Sequence, residues 1–140
     1  MNIDFSVKVQ IHAAASEIFK AMTDPQHLTQ YYLYAASAPL EAGNTVHWQW
    51  SQYEKQDLEV KALIPDQSIV LEWTHSETGY PTTIEIRVED KGESSRVSVR
   101  ETGWQEDQDS LDFAFQHCNG WNIFLLNLKA YLQFKVDLRQ

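Results

Sequence analysis

The 140-residue chain is poor in cysteine, in basic residues and in glycine, and each shortage closes off a class of function. A single cysteine, Cys118, permits no internal disulfide and no CxxC pair for zinc or thiol exchange. Eleven Lys and Arg against twenty Asp and Glu give a formal net charge of -9. So acidic a surface repels phosphate backbones and anionic headgroups, so neither nucleic acid nor a membrane surface is expected as a partner. The five glycines form neither a phosphate-cradling loop nor a GxSxG elbow. No segment approaches the roughly 18 consecutive apolar residues of a membrane-spanning helix. The opening MNIDFSVKVQ has no cationic start leading into an apolar run, so no signal peptide is expected. These features together predict one cytoplasmic domain over residues 1–140, large enough to bury its own core.

Histidines do not rescue a metal site. His12, His27, His47, His75 and His117 include no pair at i, i+3 or i, i+4, so the spacing predicts exposed polar residues rather than ligands. His117 and Cys118 are adjacent, and neighbours on a helix point about 100° apart, so they are not read as a catalytic pair. No catalytic residue, metal or cofactor is expected from these elements.

What the chain has in plenty is aromatic residues, five Trp, six Tyr and six Phe, and apolar alternation. Residues 3–11 alternate as a half-buried strand, and Ala13 to Met22 reads as a short helix. Asp24-Pro25 supplies a cap and a first-turn residue for a second short helix running through Leu28 towards Tyr31 and Tyr32. Residues 34–43 read as a connection. Strands are predicted over Asn44–Ser51, Leu58–Ile64, Ile69–Thr74, Thr82–Glu89 and Ser95–Thr102, joined by turns such as Pro65-Asp66 and Lys91-Gly92. The acidic loop Glu106–Asp112 leads into a long helix, with Asp109 or Ser110 expected as its cap. Trp121, Phe124, Leu125, Leu128, Tyr131 and Leu132 form its apolar stripe, and Asn122, Asn127, Lys129 and Gln133 its polar side. The predicted fold class is α+β: a curved antiparallel sheet of about six strands gripping a long C-terminal helix, with two short helices after the first strand.

Particular words in this order resemble the START-like (Bet v 1-like, SRPBCC) helix-grip superfamily. They are IFKAMTDPQHLTQYY, PLEAGNTVHWQW, IPDQSIVLEW, and ETGW followed by NGWNIFLLNLKAYL. Within the superfamily the match is nearest to the family named for the C-terminal domain of the activator of Hsp90 ATPase. Ala13 and Ala14 depart from it, standing where many members carry a proline. The resemblance implies a hydrophobic ligand held between sheet and helix. It also implies two alternatives: a chaperone-associated interaction module, and a cyclase- or hydrolase-like enzyme using the same cavity.

The residues themselves suggest where such a cavity would lie. Trp48, Trp50 and Trp73 occupy the apolar faces of their strands, and Trp121 opens the helical stripe. With Tyr32, Phe124 and Leu125 they form either an aromatic core or the lining of a site for a flat apolar molecule. Strand period places Glu101 on the inner face with Val97 and Val99, unless the strand frays before Gly103 and the carboxylate reaches water. Gly120 lies inside the helix pattern, where it costs about 1 kcal/mol relative to Ala unless packing or a bend needs it. Expected partners are an apolar small molecule or a protein, with the chain a monomer or homodimer.

Overall fold

The computed structural model describes residues 2–140. Strand β1 (Phe5–Ile11) is followed by helices α1 (Ala15–Thr23) and α2 (Pro25–Leu28). Six more strands come next: β2 (Ala35–Ala36), β3 (Thr45–Gln49), β4 (Lys55–Ile64), β5 (Ser68–Thr74), β6 (Pro81–Asp90) and β7 (Ser95–Thr102). Helix α3 (Gln108–Lys129) then runs into a π-helical turn, Ala130–Phe134. The seven strands form one open antiparallel sheet in the order β1-β7-β6-β5-β4-β3-β2. Strands β2 to β7 are a meander, and β1 closes the far edge beside β7 with Phe5 opposite Glu101 and Val9 opposite Val97. A register shift between Val60 and Ala62 marks a bulge that bends β4.

Period two does the sorting. Val46, Trp48, Leu58, Val60, Ile69, Leu71, Ile84, Ile86, Val97 and Val99 are all buried on one face of the sheet. Against that face lies α3, whose Trp121, Phe124, Leu125 and Leu128 join the same core. Helix α1 adds Ile18, Phe19 and Met22. Asp24 caps α2 as expected, its Oδ1 accepting from the Gln26 amide at 2.9 Å ahead of Pro25. Tyr31 is fully buried and its hydroxyl donates to the Ala21 carbonyl at 2.9 Å, which fixes the end of α2 against α1.

Three local expectations are corrected. The connection over residues 34–43 contains the two-residue strand β2, because its backbone pairs with Trp48 and Gln49 at the open edge. The α3 cap is Asp107 rather than Asp109 or Ser110: its carboxylate accepts from the Ser110 amide at 2.7 Å. Asn127 is not on the solvent side. It is buried, and its amide donates to the Tyr31 carbonyl at 3.1 Å, so a polar residue serves the core by satisfying a buried acceptor. Loss of the α3 cap in Asp107→Ala is expected to destabilise the protein by about 1 kcal/mol. The check is a lower denaturant midpoint at unchanged slope.

Candidate functional site

Where β5, β6 and β7 pass under the middle of α3, a carboxylate sits in the core. Glu101 is completely buried, on the inner face beyond Val97 and Val99, with β1 and β6 paired on either side. The strand does not fray, and flanking strands hold the carboxylate away from water. Trp73 on β5 donates from Nε1 to Oε2 at 3.1 Å, and Thr82 on β6 places its hydroxyl 2.6 Å from the same oxygen. Trp121 on α3 donates from Nε1 to Oε1 at 2.9 Å. His117, one helical turn earlier, brings Nδ1 to 3.0 and 3.1 Å of the two oxygens. An indole N–H can only donate, so each carboxylate oxygen accepts from at least one partner. Four donor groups match the lone pairs of an ionised carboxylate, which is what makes its burial tolerable.

The histidine in this cluster contradicts the expectation of exposed polar histidines. His117 is mostly buried, and a carboxylate facing Nδ1 requires the proton on that nitrogen. Its ring is wedged edge-to-face against Trp73 and Trp104, at centroid distances of 5.6 and 4.9 Å, and faces His75 at 5.3 Å. Nε2 projects away from Glu101 and hydrogen-bonds no described residue.

Above the cluster opens a cleft of about 630 Å³ between α3 and the ends of β3, β4 and β5. Tyr32, Trp50, Trp73, His117, Gly120 and Trp121 are among its walls, and Glu54, Lys55 and Glu77 are charged groups around it. Trp73 and Trp121 stack at 5.6 Å, while Trp50 stands edge-on to Tyr32 at 5.9 Å and to Trp73 at 6.2 Å. Burial raises the Tyr32 phenol well above its ordinary range; a Trp50 hydrogen bond opposes this and the Glu101 charge adds to it, so Tyr32 stays neutral.

Of the residues singled out from sequence, Tyr32, Trp50, Trp73 and Trp121 line this cleft, and Glu101 lies beneath it. Trp48, Phe124 and Leu125 do not; they are packed in the core at 1% exposure or less. Gly120 is a wall residue, and a Cβ built there meets nothing within 4 Å, so close packing does not explain it. Thr82 and His117 were missed. The signal for His117 was present, since it stands four residues before Trp121 and extends the apolar stripe by one turn. Among the described residues no group of three or more His, Cys, Asp or Glu could hold a metal ion, and no helix is long and apolar enough to cross a membrane.

An open antiparallel sheet packed on a long C-terminal helix, with short helices after the first strand, defines a START-like domain. The chain belongs to the family described as activator of Hsp90 ATPase homolog 1-like protein, which matches residues 12–133. Solved structures agree with that placement. DynU16, from the dynemicin biosynthetic locus, superposes with a TM-score of 0.84 at 21% identity over 94% of this chain and 48% of its own. This chain therefore spans about half the length of DynU16. A protein from Staphylococcus saprophyticus gives 0.81 at 21% identity, with 97% and 96% of the two chains covered. The Aha1 dimer from Colwellia psychrerythraea gives 0.80 at 25% identity, over 93% and 96%. At 21% identity, the first two speak for the fold alone. No curated protein matches the chain.

Proposed function

We propose that this chain is a single START-like domain over residues 1–140 that binds a flat, largely apolar small molecule in the cleft beside α3. The observation that carries the reading is the way Glu101 orders the wall. It draws the N–H edges of Trp73 and Trp121 inward, so the carbon edges of two stacked indoles are left for the cleft. Trp50 and Tyr32 complete an aromatic slot, and His117 supplies a polar group to orient what enters. The volume falls within the roughly 300–1,000 Å³ usual for small-molecule sites.

Gly120 provides the test, because a side chain there enters the cleft and not the core. Gly120→Leu is expected to weaken binding of Nile red, a flat neutral dye, by about tenfold or more, equivalent to about 1.4 kcal/mol. The melting temperature should hold or rise, since Leu is the better helix former by several tenths of a kcal/mol. Equal dye affinity in both proteins would remove the cleft as the binding site.

A second reading, an interaction module of the kind the family name suggests, has one observation in its favour. Phe115 and Leu126 are exposed and about three helical turns apart on one outer face of α3. The Colwellia Aha1 relative is a dimer. That face is distinct from the cleft, so Gly120→Leu would leave any such association intact.

A further inference from the structure

We infer that Glu101 and His117 form a proton-accepting dyad, and that the ligand of the cleft is a planar aromatic molecule bearing an acidic hydroxyl, a phenol or enol, bound as its anion. The inference rests on the cleft being a ligand site. Glu101 itself cannot take the proton without giving up one of its four partners: the two indoles, Thr82 or His117. What it does is fix the histidine. A carboxylate opposite Nδ1 holds the proton there and leaves the Nε2 lone pair free, directed to the far side of the ring. Trp73 and Trp104, edge-on to the imidazole, and His75 beyond them leave the ring little freedom to flip. An imidazole backed by a buried carboxylate is a general base, because the imidazolium it becomes is stabilised by that charge.

The step balances without any further reactant. The ligand O–H bond breaks, an Nε2–H bond forms, and the electron pair stays on the ligand oxygen. The imidazolium then lies between two anions, Glu101 on one side and the ligand oxygen on the other, so the charge of the site is unchanged.

Charge around the mouth narrows the class. Glu54 and Glu77 from the turns, with Lys55 on β4 and His75 after β5, face the same cleft, and the whole chain carries a net -9. A ligand already ionised in water, such as a carboxylate, would be repelled on approach. An aliphatic alcohol is too weak an acid to yield its proton to imidazole. A neutral phenol or enol passes both tests: it enters uncharged, its ring fits the slot of Trp50, Trp73 and Trp121, and its hydroxyl is acidic enough to be ionised at Nε2.

Para-nitrophenol and nitrobenzene separate the two levels of inference. They share the ring and nitro group, and only the first has a hydroxyl whose ionisation is visible as the phenolate absorption band. The titration is run at a pH where free para-nitrophenol is mostly protonated. Wild-type protein is expected to bind both and to raise the phenolate fraction of bound para-nitrophenol about tenfold over the free probe. His117→Gln keeps an amide N–H for Glu101 but has no base, so at saturating para-nitrophenol the phenolate band of the bound probe should disappear. If wild type binds both probes but holds para-nitrophenol as the neutral phenol, the dyad is overturned and the ligand site stands. The dyad is overturned in the same way if His117→Gln keeps the band. If neither probe binds the wild type, the ligand site itself is overturned and the dyad with it. The wild-type spectrum decides the matter even where His117→Gln folds poorly.

Discussion

Glu101→Ala is expected to lower the unfolding free energy by about 3–5 kcal/mol, the loss typical when one partner of a buried charged network is removed. The substitution removes the shared acceptor of two indole N–H groups, the Thr82 hydroxyl and His117 Nδ1 at a fully buried position beneath the cleft. Against a total stability of about 5–15 kcal/mol for a domain, that is enough to unfold a marginal protein. Glu101→Gln should cost less, about 1–3 kcal/mol, and for a different reason. The amide keeps one acceptor oxygen but points an NH₂ donor at a donor on the other side. Trp73→Phe made on top of Glu101→Gln removes one of the opposed indole donors and should recover part of the loss, giving a coupling energy in a double-mutant cycle. Denaturant unfolding of the four proteins reads this directly. If Glu101→Ala fell within about 0.5 kcal/mol of wild type, as surface substitutions do, the cluster would have no structural role.

The second large effect separates two tryptophans only two residues apart. Trp48 lies on β3 and Trp50 just past its end, edge-on to each other at 6.1 Å, yet their surroundings differ. Trp48 is buried at 1% exposure, edge-on to Tyr32, with its Nε1 unpaired; Trp50 is half-buried and lines the cleft. Trp48→Ala is therefore expected to cost about 3–5 kcal/mol through the cavity it leaves. Trp48→Phe should cost much less, since it also removes a buried donor that has no acceptor. Trp50→Ala is expected to cost less stability than Trp48→Ala and to weaken dye binding more than any core substitution. Melting temperature and Nile red affinity measured on both variants give the dissociation. Parallel losses in the two variants would make Trp50 part of the core.

The apolar periodicities of the sequence were enough to place the elements. Alternation on Val97 and Val99 assigned an inward face that included Glu101, and the 3.6-residue stripe through Trp121, Phe124 and Leu125 assigned the face of α3 that meets the sheet. Those patterns are local, set by side-chain direction along one strand or helix, so they survive in the sequence without knowledge of any partner. The family words carried the rest of the architecture. Strand ends and caps were less legible. β2 exists only because a neighbouring edge accepts it, and Asp107, Asp109 and Ser110 are all competent caps until the chain's entry angle selects one.

The site itself was decided by tertiary structure. Trp73, Thr82, Glu101, His117 and Trp121 come from four elements, and their meeting depends on strand register and on how far along the sheet α3 is laid. No single-chain period encodes either. Whether an aromatic belongs to core or cleft is likewise a property of what lies opposite it, which is why Trp48 and Trp50 read alike in sequence and separate in space. Sequence alone determined that a carboxylate on β7 would face inward if its strand held. The flanking β1 and β6 pairing held it, and two strands with one helix supplied the donors that partner it in the core.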